Sequence, residues 1–303
     1  MRYRAFGLSI HSDMPLRALI PVVSTRSDIT IARGNVPDRL AAPAMVKPYS
    51  QSAPGELLFT VPAIARFYVT GGTMIRYQPK ANSDPQTIAL YLLGTGLGAI
   101  MHQRGRLVIH GNALRFSNQA VIFAGSSGQG KSTLAAAFYQ KGYELLADDL
   151  ASVDDRAKVH PSYPQLKLWH DSATRLHIDV ERMERVRQPI LKYACPLDGG
   201  FCDKPLPLKS IYILQAHNEN RFEIKPVKGI TKMTALIAQT YRFGHLKGLS
   251  LQHQHLKSCA QLVKQVEVVE LFRPMAGFHI DALRELIEAR ENQSPRVGQG
   301  SAT

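Results

Sequence analysis

The chain has 303 residues, 45% of them apolar and 20% charged, which is enough apolar material for a core and excludes a wholly disordered chain. Lysine and arginine exceed aspartate and glutamate by 37 − 24 = 13, which favours an anionic partner without choosing among a nucleotide, an acidic peptide and a nucleic acid. Three cysteines are too few for a disulfide scaffold and no charged-then-apolar leader opens the chain, so we expect a cytoplasmic protein.

Residues 1–85 are predicted to form a small β-rich domain. Period-two alternation and short apolar runs predict strands there at 3–10, 28–32, 56–61, 65–69 and 73–77. Gly71 and Gly72 lie between the last two strands and predict a hairpin turn. No residue pattern in this part of the chain indicates a particular chemistry.

Residues 86–292 are predicted to form an α/β domain. It opens with an apolar helix near 86–102, whose apolar part of 14 residues is shorter than the roughly 20 that cross a bilayer, so no membrane partner is expected. Apolar runs then predict strands at 106–110, 120–124, 145–147, 210–214, 222–225 and 266–271. Helices are predicted at 132–141, 231–241 and 279–290, and a disordered tail at 293–303. The order strand, loop, helix, strand across 120–147 is typical of phosphate-binding units.

The strongest motif is Gly-Ser-Ser-Gly-Gln-Gly-Lys-Ser at 125–132, which fits the phosphate-loop pattern G-x-x-x-x-G-K-[ST]. Glycines let the backbone turn its N–H groups towards a phosphate, and the following helix directs its positive end at the same anion. Lys131 would reach the outer phosphates of a nucleotide, and the Ser132 hydroxyl would bind Mg²⁺. The predicted nucleotide-binding residues are Gly125, Ser126, Ser127, Gly128, Gln129, Gly130, Lys131, Ser132 and Thr133.

Two further elements accompany this loop. Asp148 and Asp149 follow the strand 145–147, and on an extended chain their carboxylates would point to opposite sides, one towards a metal ion and one towards a proton donor. His110, followed by Gly111, is predicted to end the strand 106–110 and could border the phosphate site. The candidate catalytic residues are Asp149, Asp148, His110 and Lys131.

Taken together, these elements resemble the catalytic domain of the HPr kinase/phosphorylase family. The resemblance lies in His110-Gly111, the loop 125–132 and Gly142-Tyr-Glu-Leu-Leu-Ala-Asp-Asp149, with a weaker match at 225–229. It covers roughly residues 105–245 and implies a kinase domain with a mixed sheet flanked by helices. The whole chain is similar to the divergent branch of this family, some members of which accompany lasso-peptide biosynthesis and phosphorylate a serine near the precursor's C-terminus.

The resemblance implies an ATP- and Mg²⁺-dependent kinase that phosphorylates a serine of a peptide or protein, here a ribosomal (lasso) precursor peptide. It assigns the nucleotide to Lys131 and its loop, and Mg²⁺ to Ser132 and Asp148. It makes Asp149 the base for the serine proton, with His110 beside the transferred group, although the two aspartates could exchange these roles. Because the family forms hexamers, the resemblance also implies a homo-oligomer.

Several alternatives stay open at this point. The family's Glu-x-Arg-Gly signature is missing after the acid pair, and its Gly-Arg pair is Gly229-Ile230 here. An HPr(Ser) kinase proper and a catalytically inactive nucleotide-binding regulator or sensor are therefore alternatives. A phosphate-loop NTPase acting on nucleic acid is favoured only by the positive charge, and we expect no nucleic-acid partner. A basic stretch is either a solvated face or a surface for acidic groups; it comprises Arg182, Arg185, Arg187 and Lys192.

Overall fold

The computed structural model describes residues 1–293, so the predicted tail lies outside the described residues except for Gln293, which ends the last helix. The described chain forms two large β-sheets with helices packed against them, the mixed α/β architecture that the sequence predicts. No helix of this described part is long and apolar enough to cross a bilayer.

The first sheet has nine strands in the order β3-β1-β2-β4-β9-β8-β7-β6-β5. Their bounds are β1 (Arg2–Ala5), β2 (Leu8–Ser12), β3 (Ile20–Pro21), β4 (Ile29–Arg33), β5 (Met45–Lys47), β6 (Ser50–Ala53), β7 (Glu56–Val61), β8 (Ala65–Thr70) and β9 (Met74–Pro79). The prediction of one strand at 3–10 is wrong, because Phe6 and Gly7 have positive φ angles and turn the chain into a hairpin between β1 and β2. Alternating residues of β8 are buried, as period-two patterning predicts.

The predicted helix near 86–102 is one continuous helical segment that packs on the first sheet. It comprises α1 (Pro85–Tyr91), a π-helical turn (Leu92–Gly96) and α2 (Leu97–Gln103). Asp84 caps its start by accepting hydrogen bonds from the backbone N–H groups of Gln86 and Thr87. The apolar side chains of this segment share one core with those of β2, β8 and β9. Gly98 leaves room for the ring of Tyr241, since a Cβ there would lie 2.8 Å from that ring.

The later strands form the second sheet and a separate hairpin. Their bounds are β10 (Leu107–Phe116), β11 (Gln119–Ala124), β12 (Leu145–Ala147), β13 (Leu150–Val153), β14 (Lys158–His160), β15 (Gln165–Trp169), β16 (Lys192–Pro196), β17 (Leu206–His217), β18 (Glu223–Pro226) and β19 (Glu267–Pro274). The second sheet has the order β11-β10-β13-β14-β17-β19-β18, with β12 beside β10, and β11 also pairs with β17. The pairs β11–β17 and β17–β19 are parallel and the others antiparallel, so the sheet is mixed.

Helices cover both faces of this sheet. Their bounds are α3 (Lys131–Gln140), α4 (His170–Arg175), α5 (Gly229–Ala238), α6 (Gln252–Leu262) and α7 (Ile280–Gln293). One apolar core holds residues of α3, α4 and α7 against one face of the sheet, and a second core holds residues of α5 and α6 against the other. The arrangement confirms the predicted flanked, mixed sheet and brings β10 and β11 next to α3.

Strand β10 differs from its prediction in a way that matters for His110. The strand continues to Phe116, so His110 and Gly111 lie within it and the predicted strand end is wrong. The continuation depends on glycine, since a Cβ on Gly111 would lie 2.5 Å from the carbonyl oxygen of Phe123 on β11. His110 is also fixed by its backbone N–H, which donates to the carbonyl oxygen of Gln239 at 2.7 Å.

Candidate active site

The loop between β11 and α3 has the backbone conformation that its glycines were expected to provide. Gly125, Gly128 and Gly130 have φ angles of 140°, 85° and 91°, a region that other residues rarely adopt. Gly125 is also sterically required, because a Cβ there would lie 2.7 Å from the carbonyl oxygen of Leu214. The bend ends at the first residue of α3, so the N-terminal N–H groups of this helix adjoin the loop.

Lys131 folds back across this loop. Its Nζ donates to the carbonyl oxygens of Gly125 at 2.8 Å and Ser126 at 3.0 Å, and the residue is 8% exposed. Burial lowers the pKa of Lys131, although the negative charges of Asp149 and Asp148 oppose that shift. The ammonium group is therefore held inside the loop, with both carboxylates near enough to act on its proton affinity.

Asp148 and Asp149 occupy the turn between β12 and β13, but not as two neighbours on an extended chain. Asp149 has a φ of 64°, so the prediction that the carboxylates point to opposite sides of a strand is wrong. Both carboxylates instead meet Lys167 on β15. Asp148 Oδ2 accepts from the Lys167 backbone N–H at 2.8 Å, and Asp149 Oδ2 lies 2.8 Å from Lys167 Nζ.

The two carboxyl groups have opposite electrostatic surroundings. Asp148 is 1% exposed, and burial together with the charge of Asp149 raises its pKa. Its other oxygen, Oδ1, accepts a hydrogen bond from the amide of Asn112 on β10. Burial would also raise the pKa of Asp149, but the positive charges of Lys167 and Lys192 and the hydrogen bond from Lys167 outweigh it, so that pKa is lowered.

His110 completes the cluster from β10. Burial and the charge of Lys131 lower its pKa, whereas Asp149 acts in the opposite direction. Its ring meets the ring of Tyr241 edge-on, with centroids 6.0 Å apart. The structure thus brings together the three sequence-predicted elements: the loop with Lys131, the acid pair and His110.

Lys167 and Lys192 project from one face of the hairpin β15–β16. Register pairs Lys167 with Ala194 and Trp169 with Lys192, while Leu166 and Leu168 point into the core beside α3. Lys192 belongs to the basic stretch that the sequence singled out, and its charge acts on Asp148, Asp149 and His110. Sequence reasoning missed Lys167 and Asn112, although a lysine between two leucines, at 166–168, is a detectable strand signal.

A cleft adjoins the outer side of the loop. It has a volume of about 290 Å³, near the lower end of the range of ligand pockets, and is lined by loop residues together with Thr133, Arg273 and Phe278. Arg273 donates from Nε to the carbonyl oxygen of Gln129 at 3.2 Å, which ties β19 to the loop. Thr133 Oγ1 lies 2.8 Å from the Ser172 hydroxyl and links α3 to α4. The cleft is thus directly continuous with the residues of the loop.

The donor set near the loop suits Mg²⁺ that arrives with a nucleotide. Residues 1–293 contain no group of three or more His, Cys, Asp or Glu side chains that could hold a metal ion by themselves. The oxygen donors are the Ser132 hydroxyl and the two aspartates, and Mg²⁺ commonly binds one or two carboxylates plus substrate phosphates and waters. Two of the roughly four acceptor positions of the Asp148 carboxylate are used by Asn112 and Lys167, so others remain for a cation.

Comparisons with known proteins find matches among solved structures. No family model matches the sequence, and no curated protein matches it. Among solved structures, the HPr(Ser) kinase/phosphatase from Coxiella burnetii matches 61% of this chain and 90% of its own, with 12% sequence identity and a TM-score of 0.31. At this identity and TM-score the match carries no functional assignment for this chain.

Proposed function

We propose that the chain is an ATP-dependent kinase that transfers the γ-phosphate to a serine of a peptide or protein. The observation that carries this proposal is the convergence of Lys131, His110 and the acid pair beside a loop with three left-handed glycines. The loop supplies backbone N–H groups and a lysine for phosphate oxygens, and the acid pair supplies carboxylates for a metal ion and a proton. A ribosomal (lasso) precursor peptide is the acceptor that the sequence resemblance favours.

In this proposal Lys131 exchanges the carbonyl oxygens of Gly125 and Ser126 for the outer phosphates of ATP. The serine oxygen forms a bond to the γ-phosphorus while the bond from that phosphorus to the bridging oxygen breaks, and ADP leaves. Asp149 takes the serine proton; its lowered pKa suits a proton transfer that comes late, as expected for a loose transition state. Mg²⁺, held by Ser132 and Asp148, would neutralise charge on the phosphates.

A second function is favoured by one specific contact. The ammonium group of Lys167 neutralises Asp149 at 2.8 Å, and a carboxylate held in this way is a weak base. A nucleotide-binding regulator that no longer transfers phosphate would keep the loop and this ion pair. In such a protein the ion pair would persist when nucleotide binds.

Phosphate transfer and nucleotide binding can be measured separately. The wild-type protein, Lys131→Ala and Asp149→Asn would be incubated with γ-labelled ATP, Mg²⁺ and synthetic serine peptides, and nucleotide affinity would be followed with a fluorescent ATP analogue. We expect Lys131→Ala to lose both binding and transfer. We expect Asp149→Asn to bind the analogue but to lose transfer by about 10²-fold or more, the usual contribution of a positioned base.

Asp155→Asn is the matched control, because Asp155 is exposed and lies outside the cluster. Full transfer activity in Asp149→Asn would refute the role of Asp149. Tight nucleotide binding without transfer to any peptide would favour the regulator. ATP hydrolysis only in the presence of DNA or RNA would replace the kinase with a nucleic-acid-dependent NTPase.

A further inference from the structure

A second cavity lies beside Lys167 and shares no lining residue with the cleft at the loop. It has a volume of about 390 Å³. One wall is the segment 14–18 between β2 and β3, the second is α1, and the third is the hairpin β15–β16. The cavity therefore lies between the loop that joins β2 to β3, the helix that covers the first sheet and the strand that carries Lys167.

Continuity with the active site is the first argument about its use. Lys167 lines the cavity with its stem, and its Nζ lies 2.8 Å from Asp149 Oδ2. Gln165, Lys167 and Ala194 share the face of the hairpin that forms the wall, and Lys192, whose charge acts on Asp149, projects from this same face. Lys167 therefore contacts both the cavity and the proposed proton acceptor.

The lining is mainly apolar and includes a buried hydroxyl without a partner. Met14, Ala18, Ala89 and Leu93 provide apolar surface of the size that takes one aliphatic side chain. Tyr163 is 1% exposed, and its hydroxyl has no hydrogen-bond partner among the described residues. The apolar side chains, rather than this enclosed hydroxyl, are therefore the surface that a bound group would contact.

The charges at the rim are mixed. The Glu184 carboxylate pairs with Arg17 at 3.2 Å, and Asp84 is occupied in capping α1. Arg185 donates to the amide oxygen of Gln188 at 3.1 Å and contacts no carboxylate within residues 1–293. The apolar lining therefore matches an aliphatic side chain, while Arg185 leaves a positive charge at the rim without a carboxylate partner among the described residues.

We propose that this cavity is the acceptor subsite and that it binds a bulky aliphatic side chain next to the serine that is phosphorylated. The inference rests on the proposed kinase function and deepens it by naming the acceptor as a peptide segment with an apolar residue beside its serine. The loop between β2 and β3 then forms one wall of the substrate site, which gives the N-terminal part of the chain a role in recognition.

The test fills the cavity from α1 with Ala89→Trp, because Ala89 is partly exposed and outside the catalytic cluster. Synthetic peptides would carry leucine or glycine beside the serine, and a fluorescent leucine peptide with alanine in place of the serine would report binding without transfer. We expect Ala89→Trp to weaken leucine-peptide binding and to raise its KM about tenfold or more, the usual effect of removing an aliphatic side chain from its pocket. The KM for ATP and the glycine-peptide kinetics should stay unchanged.

Ala42→Trp is the matched control, since Ala42 is exposed and does not line the cavity. Equal binding of leucine and glycine peptides, or unchanged leucine-peptide binding in Ala89→Trp, would overturn the subsite while leaving the kinase intact. Failure of the proposed function has a different signature: the wild-type protein would bind the leucine peptide but transfer no labelled phosphate to its serine counterpart.

Discussion

The two sides of the candidate site differ in whether backbone or side-chain groups form them. On one side, the loop 125–132 shapes its anion-binding surface with backbone, so its geometry depends on three left-handed glycines. On the other side, the buried Asp148 and Lys167 and the partly exposed Asp149 form a cluster of charges that depends on side chains. A backbone-built surface should be sensitive to an added Cβ, whereas a charge cluster should be sensitive to the loss of one partner.

The largest effect is expected from Lys167→Met. The substitution keeps most of the apolar stem but removes the buried ammonium group that pairs with Asp149, leaving a largely buried carboxylate without its nearest countercharge. Loss of one partner of a buried ion pair typically costs about 3–5 kcal/mol. Urea unfolding at pH 7 would measure it, with Lys141→Met, at an exposed position after α3, as the control.

If Lys167→Met unfolded at the same urea concentration as Lys141→Met, the charge cluster would contribute no stability.

The Lys167→Met variant also distinguishes a kinase from a nucleotide-binding regulator. Without Lys167 the pKa of Asp149 should rise, because the largest opposing charge is gone. Transfer activity that moves to higher pH in a folded Lys167→Met protein would identify Asp149 as the titrating base.

The loop offers a matched pair of substitutions for the other side of the comparison. Gly125→Ala places a Cβ 2.7 Å from the carbonyl oxygen of Leu214, whereas Gly128→Ala meets no atom within 4 Å, although both residues have positive φ. Each substitution carries a backbone cost of about 1–3 kcal/mol, and only the first adds a clash with backbone. We expect Gly125→Ala to weaken binding of a fluorescent ATP analogue far more than Gly128→Ala does.

Equal losses of affinity for the ATP analogue in the two variants would mean that backbone strain alone determines the effect. The contact between Gly125 and β17 would then contribute nothing to nucleotide binding. Thermal unfolding of both proteins separates loss of binding from loss of folding. A Gly125→Ala protein that unfolds well below Gly128→Ala would place the contribution of this glycine in the sheet rather than in phosphate binding.

The same contrast explains what the sequence could and could not predict. The loop and the acid pair are local patterns, and the predicted strand, loop and helix around 120–141 are confirmed within a few residues. Lys167 lies 18 residues from Asp149 in a region rich in proline, and only the pairing of β15 with β16 brings it there. Asp149 also departs from the extended chain that adjacent acids suggest, because a turn with positive φ follows β12.

The smallest effect we predict is the pH dependence of Asp148→Asn. A carboxyl group whose pKa is raised on folding holds its proton more tightly in the folded chain, so stability falls as pH rises from the ordinary aspartate value of about 3.9 through the raised one. Asp149 has a lowered pKa, so its contribution to stability is lost only as the pH falls below the ordinary aspartate value. Asp148→Asn removes only the loss of stability that comes from the raised pKa of Asp148. The amide of Asn112 can turn so that its oxygen accepts a hydrogen bond from the introduced amide.

We therefore expect Asp148→Asn to gain stability relative to the wild-type protein as pH rises from 5 to 8, by at least about 1 kcal/mol, the value of roughly one unit of pKa. Urea unfolding at several pH values measures the difference, and Asp155→Asn should show none of this trend. A difference that is constant across the range would mean that Asp148 is ionised at ordinary pH despite its burial. Its charge would then be fully balanced by Lys167 and Lys192, and the two sides of the site would share one electrostatic network.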